Sequence, residues 1–326
     1  MKRSLILAGI LVWSWSCSRD RNPISTTTDS DFAVYFLKDS SLSTSQVINL
    51  GLSKLELEAA PWFDAGDVEF YDFSTRCIYL KSNKRTLFAN FGLGHFEPRL
   101  TDKPFVVAAG GNRCYLGCLH SGALSTTPAG PYMDELDVWH FPDDVLHVSR
   151  HRASTEDARS DPRVREALIR RGLFHAGLRV ELNSVSVVRN ADTTTVQYRF
   201  TLTNEDRDPP YVIDPDRTGT ELLHYYTNGV VLSNESQPQI WSEYKSVTSP
   251  VPHDSWAPCW FTRMKGSQSI QRTVTLRGYP RIPRGRYVCR LEYSGPKTIV
   301  RTERNMLDGR YWLGEIASKT MEVVLD

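Results

Sequence analysis

The sequence predicts a small α+β domain followed by an all-β sandwich, and three observations carry that expectation. Residues 31–145 mix short β-rich runs with glycine turns. One fully punctuated helix follows Asp161, and residues 146–177 around it read as a helical linker. From residue 178 to residue 326, seven or more short strands are separated by turn residues, the pattern of a β-sandwich.

At 326 residues the chain exceeds the usual size of one domain, which favours two. Its content, 40% hydrophobic and 24% charged, is that of a folded protein rather than a disordered one.

At the N-terminus, Lys2 and Arg3 precede the apolar run Leu5-Ile6-Leu7-Ala8-Gly9-Ile10-Leu11-Val12-Trp13. That run is too short to span a bilayer, which needs about 20 apolar residues, and reads as a secretory signal over residues 1–16. Ser16-Cys17 ends it, and a Cys after a small residue resembles the lipobox of bacterial lipoproteins, although Ser14 and Trp15 depart from the family's Leu and small residue. The resemblance implies diacylation of Cys17, a mature chain starting there, and a place in the cell envelope facing the periplasm or the cell surface. The alternative is an ordinary signal peptide with an incidental Cys17. Loss of two cations with the signal takes the net charge from +1 to −1, so the chain has no electrostatic footprint for nucleic acid. Residues 17–30 are polar and aperiodic, a flexible tether behind the lipid.

Phe32-Ala33-Val34-Tyr35-Phe36-Leu37 opens the first domain as a strand. Leu55-Glu56-Leu57, residues 68–73 and residues 77–80 give further strands, and Phe105 to Ala108 pairs with Arg113 to Leu116 across Gly110-Gly111. The order of these pieces, a Leu-x-Leu…Pro entry leading to an apolar strand, a Gly turn and a second strand, resembles the periplasmic head domain of the bacterial export subunit SecD over residues 31–122. The resemblance bears on fold alone, since no polar motif accompanies it.

The linker helix is framed by Asp161 as cap, Pro162 at its first position, Arg170 and Arg171 near its end, and Gly172. Val164, Leu168 and Leu173 form its apolar stripe, expected to pack between the domains. Beyond it, Val180, Leu182, Val185 and Val187 mark one strand, and Val196, Tyr198, Phe200 and Leu202 alternate cleanly with polar residues in the next. Leu222 to Tyr226 and Val230 to Leu232 flank Thr227-Asn228-Gly229, which reads as a hairpin. Pro283-Arg284-Gly285-Arg286-Tyr287 resembles the entry into a late strand of bacterial immunoglobulin-like domains, with Tyr287 at tyrosine-corner spacing from Cys289. The resemblance implies an immunoglobulin-like sandwich over residues 178–326. The family's inter-sheet disulfide has no Cys in the early strand here, which leaves Cys259 as the nearby candidate for Cys289.

Besides Cys17, the chain has Cys77, Cys114, Cys118, Cys259 and Cys289, an odd number for disulfides. On one strand, Cys114 and Cys118 lie ~13 Å apart, too far to bridge. They read as buried small side chains, or one pairs with Cys77. His147 and His151 would share a helix face as metal ligands, but Val145-Leu146-His147-Val148 reads as strand. Asp214, Asp216, Glu221 and His224 form the densest acidic group, a cation site or simply turn chemistry. Neither a Gly-x-Ser-x-Gly elbow nor a phosphate loop is found. The expectation is therefore no enzyme, no cofactor and no metal.

Trp241, Tyr244, Trp256 and Trp260 crowd one proline-containing segment. They are the candidate ligand-binding residues, as a stacking platform or an apolar patch, with burial in the core as the alternative. The function expected is binding or scaffolding of an envelope protein partner from a lipid anchor. Polysaccharide binding on the aromatic platform, or a hydrolase whose acids lie far apart in sequence, are the alternatives.

Overall fold

The computed structural model describes residues 31–89, 102–121, 128–134, 140–150, 157–189, 191–227, 229–234, 248–252, 255–297, 299 and 308–325. In the first half the elements are β1 (Phe32–Phe36), α1 (Thr44–Val47), β2 (Phe63–Asp64), β3 (Val68–Asp72), β4 (Cys77–Leu80) and α2 (Lys84–Ala89). They continue with β5 (Pro104–Ala109), β6 (Asn112–His120), β7 (Tyr132–Asp134), β8 (Val145–His147), α3 (Pro162–Arg170) and β9 (Phe174–His175). The second half holds β10 (Leu178–Arg189), β11 (Thr193–Asn204), β12 (Pro210–Ile213), α4 (Pro215–Thr218), α5 (Thr220–Tyr226) and β13 (Gly229–Ser233). It ends with β14 (Phe261–Arg263), β15 (Ser269–Pro280), β16 (Gly285–Ser294), β17 (Arg310–Tyr311), β18 (Glu315–Ala317) and β19 (Met321–Leu325). The fold is mostly β, in several sheets.

The first sheet has the order β2-β1-β5-β6-β7. β1 is apolar without alternation because both its faces are covered. Phe32, Val34 and Phe36 enter a first core, while Ala33 and Tyr35 pack against Ala108 on the other side. The expected hairpin across Gly110-Gly111 forms between β5 and β6. α3 starts as expected, with the Asp161 carboxylate accepting from the Arg163 amide at 2.8 Å. Its stripe of Val164, Ala167 and Leu168 belongs to this first core and lies against β1, β5 and β6. The segment expected to be a linker between domains thus completes the first core.

A four-stranded sheet, β8-β4-β3-β9, stands between that core and a second one. Successive residues of a strand point to opposite faces. Ile78 and Leu80 of β4 accordingly enter the first core, and Cys77 and Tyr79 enter the second. Burial on both faces explains why residues 77–80 show no polar alternation.

The second core is surrounded by three sheets, β10-β11-β15, β14-β12-β17, and β13-β16-β18 with β19 also on β16. Val196, Tyr198, Phe200 and Leu202 all point inward at 1% exposure or less, each worth ~1.5–3 kcal/mol of burial. A bulge between Leu182 and Ser184 explains the three-residue step from Leu182 to Val185 in the apolar pattern of β10. Tyr287 donates its hydroxyl to the Pro283 carbonyl at 3.1 Å.

Two expectations fail here. Residues 220–226 form helix α5 instead of the first arm of a hairpin; the run Leu222-Leu223-His224-Tyr225-Tyr226 has no period-2 alternation to hold it in a strand, and Leu223 enters the second core. Nor does a disulfide form among the described residues, where Cys77, Cys114, Cys118, Cys259 and Cys289 each stand outside one. Cys289 points into the second core from β16, whereas Cys259 is exposed on the turn before β14.

Candidate functional site

A cleft of about 560 Å³ opens where the two halves meet. One wall comes from residues 74–76, β7, β8 and the residues after it; the other comes from β16, Lys297 and β18.

The first wall is shaped by Asp72 at the end of β3. Its Oδ1 accepts from the Ser74 amide at 3.1 Å, the Ser74 hydroxyl at 2.6 Å and the Thr75 amide at 3.3 Å, which folds the chain into a tight turn. The turn leaves Arg76 at φ +61° with its guanidinium 3.9 Å over the Phe73 ring. The opposite wall comes close to this turn at Gly314, where an added Cβ would lie 2.8 Å from the Thr75 side chain.

Charge dominates the lining. Arg76, Arg150, Arg159, Arg290 and Lys297 face three carboxylates, those of Asp134, Glu292 and Glu315. Behind the first wall, Asp157 takes two parallel bonds from Arg159, at 2.8 and 3.0 Å, and lies 3.9 Å from Arg76 and 4.0 Å from Arg150. Burial works to raise the pKa of Asp157, but the Arg159 bonds and the neighbouring guanidinium charges hold it below the ordinary carboxylate value. Burial also pushes the pKa of Arg76 down.

On the second wall, Arg290 and Glu292 lie two apart on β16 and so share a face, paired through Arg290 Nη2 and Glu292 Oε1. Arg290 Nε is buried with no hydrogen-bond partner. The Lys297 ammonium lies 5.3 Å over the ring of Phe141, which floors the cleft with His140 and His147 nearby. His147 Nδ1 and the Ser149 hydroxyl are 3.2 Å apart. The cleft thus sets cationic side chains beside an aromatic surface.

Among the described residues singled out from the sequence, His147 lines the cleft and the others lie elsewhere. Cys17, Trp241, Tyr244 and His151 fall outside the described residues. Trp256 and Trp260 are half-buried against the second core. Trp256 meets Tyr311 edge-on at 4.8 Å, and Trp260 meets Tyr226 at 6.1 Å. At the acidic turn, Arg272 occupies the place a cation would take, donating to both oxygens of Asp214 at 2.7 Å and pairing with Asp216 at 2.9 Å. Asp214 itself caps α4 through the Asp216 amide, the turn-chemistry reading. Among the described residues, no group of three or more His, Cys, Asp or Glu side chains is placed to hold a metal ion.

The cleft cations escaped sequence reading because each comes from a different segment, with no local motif around it. No protein-family model matches the chain, and a comparison with curated proteins gave no match.

Proposed function

We propose that this chain is an envelope lipoprotein, anchored through Cys17, that recognises an envelope partner rather than transforming it. The cleft between its halves is the recognition site. The observation that carries this reading is the 560 Å³ volume itself, a size typical of ligand sites, walled by charged side chains from both halves. We read residues 178–326 as immunoglobulin-like, supported by the Tyr287 hydroxyl reaching back to Pro283 as in a tyrosine corner. A fold of that kind argues for binding by analogy alone. The half-buried faces of Trp256 and Trp260 support a second reading, glycan binding, which glycan-induced quenching of their fluorescence would reveal.

A photoreactive residue in place of Tyr132 tests the main reading in intact cells. Ultraviolet light should give a discrete mass adduct at the cleft, absent when the same residue replaces Val188, 57% exposed on β10. Equal labelling at both positions would overturn it. Cys17→Ser should move the protein from the membrane to the soluble fraction, and retention in the membrane would remove the anchor.

A further inference from the structure

We propose that the cleft takes a small organic phosphate, its phosphoryl group held between Arg290 and Lys297; this rests on the cleft being the recognition site. The cations lining it differ in how far they are already engaged. Arg159 spends Nε and Nη2 on Asp157 and Nη1 on the Val148 carbonyl at 2.6 Å. Arg76 donates to the Ser160 hydroxyl at 2.8 Å, and Arg150 lies 4.0 Å from the Asp157 carboxylate. On the opposite wall, the Lys297 ammonium meets only the Phe141 ring among the described residues. Arg290 uses Nη2 on Glu292 and leaves Nε buried without a partner. Unspent positive charge is therefore concentrated on the β16 side.

The chemistry of those two groups selects among anions. A whole guanidinium fork satisfies a planar carboxylate; with Nη2 spent on Glu292 and Nε buried, Arg290 offers only part of its fork, and that part with a separate ammonium suits a tetrahedral oxyanion with charge on several oxygens. The cavity, at about 560 Å³, is far larger than a phosphoryl group, so an organic part accompanies it against Phe141, Tyr132 and Ile316. Asp134, Glu292 and Glu315 line the same space and disfavour a ligand with more than one phosphoryl group.

Phenyl phosphate, titrated calorimetrically into the full chain in non-ionic detergent, is the probe, with benzoate as the planar control. Saturable binding of phenyl phosphate, and weaker binding of benzoate, is expected. Lys297→Gln should weaken phenyl phosphate roughly tenfold or more, the scale of one charge-assisted bond. Arg290→Lys should do the same while leaving Glu292 a cationic neighbour, which keeps the variant folded. Arg286→Gln, exposed on the same strand and paired with Glu322 at 3.3 Å, should bind as the parent does. Competition by vesicles containing phosphatidic acid would assign the phosphate to a lipid headgroup, and its absence to a soluble ester. No binding of phenyl phosphate at millimolar concentration, or unchanged binding by both Lys297→Gln and Arg290→Lys, overturns the proposal. If the Tyr132 position still labels in cells after such a failure, the phosphate falls and the recognition site stands.

Discussion

Arg310 Nη1 and Asp72 Oδ2 meet at 3.3 Å, although 238 positions separate the two residues in sequence. The contact joins β17 to the end of β3 and so ties the second half of the chain to the first. Arg310 also reaches Asp206 at 3.3 Å and lies 4.7 Å over the ring of Phe70. Asp206 in turn meets His175 Nδ1 at 3.1 Å and accepts from the amides of Ala176 and Gly177. Burial opposes the charge of Arg310, but Asp72 and Asp206 outweigh it and raise its pKa.

Removing the guanidinium leaves fully buried Asp72 without its cation. Arg310→Ala should therefore destabilise the protein by about 3–5 kcal/mol, measured by urea unfolding. Replacing the charges together, with Arg310→Met, Asp72→Asn and Asp206→Asn, should recover part of that loss, because no uncompensated charge remains. A loss under about 1 kcal/mol for Arg310→Ala would show that the pair is dispensable.

Acid should unfold the protein through its buried carboxylates. Burial pushes Asp214 toward a higher pKa, but the hydrogen bonds from Arg272 and Thr262 prevail and hold it below the ordinary carboxylate value. Asp206 is likewise held down by His175 and Arg310 against the effect of burial. A carboxylate whose pKa is lower folded than unfolded contributes fully above the unfolded value, about 3.9, and loses that contribution as pH falls through the folded value. Stability should thus drop below about pH 4, and Asp214→Asn should flatten that drop while lowering stability at pH 7. An unchanged acid limb in the variant would remove Asp214 from the account.

How far the sequence foretold this arrangement depends on the period of each element. The strand of Val196, Tyr198, Phe200 and Leu202 was legible because one face meets the core and the other meets solvent. α3 was legible because Asp161 and Pro162 mark its start. Residues 77–80 gave a strand but not its setting, since a strand buried on both faces carries no sign of which core each residue enters. Its partner β8 is contributed from about 70 residues away, beyond any local pattern. The cleft was invisible for the same reason. Arg76 is placed by a turn, Arg290 by a central strand and Lys297 by the segment after it, and only tertiary pairing brings them to one space.

Thiol chemistry separates the buried cysteines from the exposed one. Burial pushes Cys114, Cys118 and Cys289 up to about 12, so they carry almost no thiolate at neutral pH. Cys77 is fully buried as well, and Cys259 is exposed. In a Cys17→Ser background, a thiol-specific chromogenic reagent should react fast with one group in the native protein and with the other four only on unfolding. Cys259→Ser should abolish the fast phase. A reductant should leave the unfolding midpoint unchanged; a fall would reveal a disulfide.

Gly177 gives the sharpest test of the junction, because it lies where the chain passes from β9 to β10 beneath Arg310 and Asp206. Its φ is +78°, a region where side chains with a Cβ are strained. An added Cβ would lie 2.2 Å from the Ser74 hydroxyl and 2.3 Å from Asp72 Oδ1. Those two atoms hold the turn that carries Arg76 and cannot retreat without breaking it, since the Ser74 hydroxyl also accepts from the Leu178 amide at 3.1 Å. Gly177→Ala combines backbone strain of about 1–3 kcal/mol with overpacking of similar size. It should destabilise the protein by about 3 kcal/mol or more on those scales, and more than Gly111→Ala, where φ is +73° but nothing lies within 4 Å of the new methyl. Equal losses at the two glycines would show that strain alone acts and that the Asp72–Ser74 turn yields freely.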